Sequence, residues 1–141
     1  MRDAIAHLNY VSVLVVAAVG FVLGWLWYGV LFGKAWMAEK KITPEMVQEA
    51  KAKGGMGANF AKSFVLTLLG TFGLAVVMHA HGVPNWKHGA AVGLFIGLFI
   101  SAMRYLNGAV WDNQSCKLQA INAAHEVVLF TLQGAILGFW P

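Results

Sequence analysis

The sequence predicts an all-α fold: a four-helix transmembrane bundle with a short surface helix between the first and second spans. Three observations carry this. Apolar residues make up 59% of the 141-residue chain and charged residues only 11%, against about 25% charged in an ordinary soluble domain. Mean hydropathy is +0.65, so there is too little polar surface to wrap a soluble globule. The apolar residues fall into four runs, and backbone groups in lipid must bond internally, so each run is a helix and a four-stranded barrel is excluded.

The first run, about 8–33, carries no charged side chain between Leu8 and Gly33. About 20 apolar residues suffice to cross the hydrocarbon core. The run is too long for a cleaved leader and ends in aromatics, so it is expected to stay in the membrane. Lys34 to Lys62 is the longest polar stretch. Within it, Thr43-Pro44-Glu45 starts a helix: Thr caps, Pro takes the first position, and Glu faces the positive dipole end. Gly54-Gly55 ends it, so a helix is expected from about Pro44 to Lys53. It either lies on the membrane or connects through solvent. The remaining spans are expected at about 60–79, 88–109 and 118–140, with a tight turn at His81 to Asn85 and a short connector at Trp111 to Ser115. The whole chain, 1–141, reads as one membrane domain.

Orientation follows from lysine and arginine. The N-terminus, the second loop and the C-terminus share one side, which carries Arg2 and Lys87. The other side carries Lys34, Lys40, Lys41, Lys51, Lys53, Lys62 and Lys117, with Arg104 near a helix end. The bias places the first and third loops in the cytoplasm and both termini outside. Cys116 is the only cysteine and on that side is expected to be a free thiol. The net charge of +4 is spread among apolar runs with no basic tract, so no nucleic acid is expected as a partner.

Helices in lipid associate through small residues that let backbones approach. Gly89, Gly93, Gly97 and Ser101 recur at four-residue spacing on the third span; Gly20 and Gly24 do so on the first, Gly134 and Gly138 on the fourth. At 100° per residue, Arg104 shares the glycine face of the third span. On the fourth, Asn122, Glu126 and Gln133 share a face, with His125 beside it, well round from Gly134 and Gly138. Two faces wanting protein neighbours predict a homo-oligomer. A charge as deep as Glu126 costs roughly 2.5–3.5 kcal/mol on insertion scales, so it needs a partner. Arg104 on the adjacent helix is the expected one, extended by Asn107, Asn122 and His125. Such a cluster is either a polar site for an ion, proton or small solute, or a buried pair that sets helix register. A cavity or water reaching these side chains would favour the first.

His79, His81 and His88 gather near the second loop. Imidazoles suit zinc or copper, but no carboxylate or thiol joins them there, so interfacial histidines without metal are expected. His125-Glu126 lacks the second histidine of a zinc-protease helix, and Gly54-Gly55-Met56-Gly57 lacks the Lys-Ser/Thr of a phosphate loop. No catalytic residue and no cofactor is expected.

Two segments carry a resemblance. Trp27-Tyr28-x-x-Leu31-Phe32-Gly33-Lys34-x-Trp36, and Leu118-x-x-Ile121-Asn122 running on to Gly134-Ala-Ile-Leu-Gly138-x-Trp140, resemble a widespread bacterial family of four-pass membrane proteins catalogued as a domain of unknown function. The likeness covers nearly the whole chain. It implies four helices and a bacterial cytoplasmic (inner) membrane location, and no activity. That family often has Gly-Tyr after the Ile-Asn, where this sequence has Ala124-His125 and then Glu126. Three readings compete: a channel, transporter or ligand-binding bundle, homo-oligomeric, with its polar path at Arg104, Asn107, Asn122, His125, Glu126 and Gln133; an accessory or scaffold subunit of a larger membrane complex; and, a distant third, a membrane enzyme or outer-face metal protein using His79, His81 and His88.

Overall fold

A computed structural model describes residues 5–140; Arg2, counted above in the charge bias, lies outside them. Four long helices run α1 (Tyr10–Leu31), α4 (Met56–Ala80), α5 (Trp86–Trp111) and α6 (Cys116–Phe139), with α2 (Gly33–Glu39) and α3 (Pro44–Ala52) between the first two. The four are 22 to 26 residues long, with mean hydropathy from 2.2 down to 1.3, which is long and apolar enough to span a bilayer. Helix α6 is the least apolar because it carries the polar stripe. No strand occurs among the described residues.

Helix α3 starts where the sequence places it: the Thr43 hydroxyl oxygen accepts from the Met46 amide at 3.3 Å and Pro44 occupies the first turn. Helix α4 begins at Met56, earlier than expected. Gly54, at φ +66°, turns the chain in a conformation open to glycine, and the next helix starts at once. Helix α2 was not expected. It follows a break at Phe32 (φ −115°, ψ 3°), just after a π-helical turn at Leu26–Leu31 closed by the Phe32 amide donating to the Trp27 carbonyl at 2.8 Å. A second π-helical turn spans Gly97–Ala102 in α5.

Helix α6 is the hub, packing on α5, α1 and α4. The α5–α6 seam is backbone against backbone. A Cβ on Gly89 would collide with the Gly134 carbonyl, one on Gly93 with the Phe130 carbonyl, and one on Gly138 would come within 2.6 Å of the Asn85 carbonyl. The glycine stripe therefore does what its spacing predicts. The opposite face of α6 meets α1 and α4: Gln133 Nε2 donates to Thr71 Oγ1 at 2.8 Å. A Cβ on Gly20 would approach that Gln133 amide to 2.6 Å. Both faces of α6 are thus filled within one chain, which removes the two-face argument for a homo-oligomer. Val13, Val16, Leu74, Ala75, Met78 and Leu137 form the core between α1, α4 and α6.

Helix α2 is tied to the start of α6. Glu39 accepts a hydrogen bond from Ser115 Oγ and pairs with Lys117 Nζ at 3.4 Å. The Ser115 hydroxyl foremost, with Lys117 beside it, holds the Glu39 carboxyl below its ordinary value of 4.5. A group whose folded value is lowered contributes stability above the unfolded value and loses it as pH falls through the folded one. Acidification from neutral pH is therefore expected to hold the tether intact down to about 4.5 and release it below that. The check is faster amide exchange over residues 34–41 at low pH, absent in Glu39→Gln, which should exchange fast at every pH.

Candidate functional site

Glu126 lies ten residues beyond Cys116, the start of α6. That is about 15 Å along the helix, half of a hydrocarbon core about 30 Å thick. Its carboxylate is held from two sides. Ser101 Oγ donates to Oε2 at 2.7 Å, and His125 Nδ1 lies 3.2 Å from Oε1. The expected Arg104–Glu126 pair is not formed. Among the described residues Lys117–Glu39 is the ion pair of permanently charged groups; the His125–Glu126 contact joins a carboxylate to an imidazole that is charged only when protonated. The cause is the π-helical turn at Gly97–Ala102. Such a turn holds an extra residue, so everything after it is rotated by roughly 100° from the ideal-helix phase. Ser101, expected in the packing stripe, lies inside that turn and is the carboxylate's partner. Arg104 is exposed at the rim of a crevice that Glu126 also borders. Asn107 is exposed and joins neither Glu126 nor Asn122.

Asn122 has partners that the sequence did not suggest. Its Oδ1 accepts from Tyr28 OH at 3.1 Å and from Trp36 Nε1 at 3.3 Å. One residue away, Trp27 Nε1 donates to the Ile121 carbonyl at 3.2 Å. The Trp-Tyr exit of α1 and the Ile-Asn of α6 are thus one latch, closed by three hydrogen bonds. A signal was present: buried Trp and Tyr normally find an acceptor for their polar atom, and few acceptors exist in these apolar runs. The π turn at Leu26–Leu31 and the break at Phe32 are what bring Tyr28 and Trp36 to the same oxygen.

His125 is only 7% exposed. Its ring lies between Trp27, with centroids 5.8 Å apart, and Tyr28, 4.9 Å. Among the described residues its Nε2 has no hydrogen-bond partner, and neither has Oε1 of the buried Gln119. Gly24, expected as a packing residue, faces that Nε2: a Cβ there would sit 3.6 Å from it, at ordinary contact distance.

Openings meet at this cluster. A polar crevice at the lysine-rich end is bordered by Lys40, Ser101, Arg104, Gln119, Asn122 and Glu126. A cleft between α1, α4 and α6 is bordered by Tyr28, Ser63, Thr67, His125, Glu126 and Gln133. Glu126 lies on both.

At the other end of the bundle, His81 Nδ1 lies 2.8 Å from the Val77 carbonyl and His88 Nδ1 lies 3.1 Å from Asn85 Oδ1. His79 borders a different cavity from these two. No three His, Cys, Asp or Glu among the described residues stand where they could share a metal.

Four apolar helices with a polar cluster at mid-depth define a small multi-pass integral membrane protein. The family described as "Protein of unknown function (DUF1761)" matches residues 11–138, which takes in both halves of the latch. The chain belongs to that family. Among curated proteins and among solved structures the comparisons find no match.

Proposed function

We propose that the protein binds a small polar solute inside the bilayer, at a site centred on Glu126 and entered from the lysine-rich end, which the charge bias makes the cytoplasmic end. The observation that supports this reading is the position of Glu126 on the wall of the polar crevice as well as the interhelical cleft. A carboxylate serving only to set register would be walled in by packed side chains, because an exposed approach wastes the desolvated pairing that a clamp needs. Arg104 and Lys40 at the mouth and Ser101, Asn122 and Glu126 further in supply donors and acceptors along one path.

The test is chemical access. With Cys116 replaced by serine, Ser101→Cys places the only thiol beside Glu126. In full-length protein in phosphatidylcholine nanodiscs, a membrane-impermeant cationic methanethiosulfonate is expected to label S101C quickly. The lipid-facing Ile100, 62% exposed, should resist labelling as I100C. Equal protection of both would show the crevice dry and Glu126 a clamp. Glu126→Gln separates the readings again: the bundle should stay folded if the site serves a solute, and lose stability if the site is a clamp.

A further inference from the structure

A second compartment adjoins His125. Between α1, α4 and α6 lies a cleft of about 410 Å3, bordered by Phe21, Trp25, Tyr28, Phe60, Ser63 and His125. Ligand sites typically have this size and this mixture of apolar wall and sparse polar groups. Residues 56–63 of α4 are all exposed, and Phe60 and Ser63 among them border the cleft. Phe21 touches Phe60 and Phe64 edge-on, with ring centroids 6.2 and 5.7 Å apart, so side chains rather than backbone contacts bridge the seam. The cleft lies along the spans, so what enters it comes from the lipid.

Ser63 and Thr67 also border this cleft, and the buried polar atom beside it is His125 Nε2. It is buried and without a partner among the described residues, and Gly24 leaves the space before it free of side chain. The other ring nitrogen lies against the Glu126 carboxylate. A carboxylate only accepts, so the ring proton belongs on Nδ1 and Nε2 is left as an acceptor. An acyl chain could fill the volume but would leave that acceptor desolvated and unpaired, which is unfavourable. A metal would need further ligands, and no group of three stands together among the described residues. The wall is aromatic: Phe21, Trp25, Tyr28 and Phe60, suited to edge and offset contacts with another ring.

We infer that the cleft binds a lipid-soluble aromatic alcohol, a phenol or hydroquinone, whose hydroxyl donates to His125 Nε2 while its ring lies among Phe21, Trp25, Tyr28 and Phe60. The inference uses the His125–Glu126 contact but not the crevice, so dry S101C and a hydroquinone site can be found together or apart.

The test uses the full chain in synthetic phosphatidylcholine nanodiscs, with a decyl-substituted hydroquinone as the probe and binding followed by equilibrium partition. Saturable binding is expected. The dimethyl ether of the probe, which keeps the shape and loses the donor, should bind about tenfold more weakly, the worth of one good hydrogen bond. Gly24→Leu should abolish binding by filling the cleft while leaving the His125–Glu126 contact in place. Gly24→Ala adds one methyl at ordinary contact distance; it guards against misfolding and should weaken binding several-fold. His125→Phe should bind probe and ether alike. Equal binding of probe and ether by the wild type, tighter binding of the oxidised quinone, a preference for decanol, or binding unchanged in folded G24A and G24L would each overturn the proposal.

Discussion

Gly93→Ala is expected to part α5 from α6 and destabilise the bundle by about 3 kcal/mol or more, at or above the upper end of ordinary overpacking. The reason is what the new methyl meets. Its neighbours are the Phe130 carbonyl and the Thr131 Cα, which are backbone and cannot rotate away as a side chain tip would. The helices would have to separate, and in lipid no hydrophobic gain offsets the packing lost. Gly89→Ala meets the Gly134 carbonyl in the same way, and the double variant is expected not to fold. Gly73→Ala is the control. Nothing lies within 4 Å of its added carbon, and alanine is the better helix former, so it should stay within about 0.5 kcal/mol of wild type. Equilibrium unfolding in mixed detergent micelles measures all of them. If G93A unfolded at the same denaturant level as G73A, close backbone approach would not be what holds α5 to α6.

Asn122→Ala should open the latch at the lysine-rich end. It removes one oxygen and strands two donors, Tyr28 OH and Trp36 Nε1. A buried donor left unpaired costs about 1–3 kcal/mol, but polar bonds between membrane helices average nearer 0.6 kcal/mol. Tyr28 and Trp36 are half-buried, so a loss of about 1–2 kcal/mol is expected. A cycle identifies its origin: in a Tyr28→Phe, Trp36→Phe background, Asn122→Ala should cost clearly less, because the donors it would strand are gone. Amide exchange should rise at the end of α1 and the start of α6, and not at Gln133 or Thr71. Full additivity in the cycle would mean the oxygen is not shared as the geometry has it.

Each feature that was readable in the sequence depends on a short stretch of chain. Thr43-Pro44 capped a helix where expected. The glycines of α5 packed as their spacing implied, because a face of small residues is defined within one helix. Arg104 shows where such reading stops. Its face was deduced from a constant 100° per residue, and the π-helical turn just before it broke the constancy. Ser101, expected among the packing residues, lies within that turn and bonds Glu126. Asn122 was singled out as polar and deep, but its partners come from Tyr28 and Trp36, on a segment whose path depends on another π turn.

Four membrane crossings, and glycine faces on α5 and α6 that pack closely, are legible in the residues alone; that the α5 glycines meet the Gly134 face of α6, where the polar stripe was expected, is not. Span length, hydropathy and residue size are properties of single segments, and the bilayer selects on them directly. The tertiary structure is what shows that Glu126 answers to Ser101 and His125 rather than to Arg104, that the Trp27-Tyr28 and Ile121-Asn122 segments bond to each other, and that His125 borders a cleft beside Gly24. These depend on the rotation and tilt of one helix against another. Both are set by how backbone hydrogen bonds shift at two π turns and by which pairs of surfaces come close enough to exclude lipid.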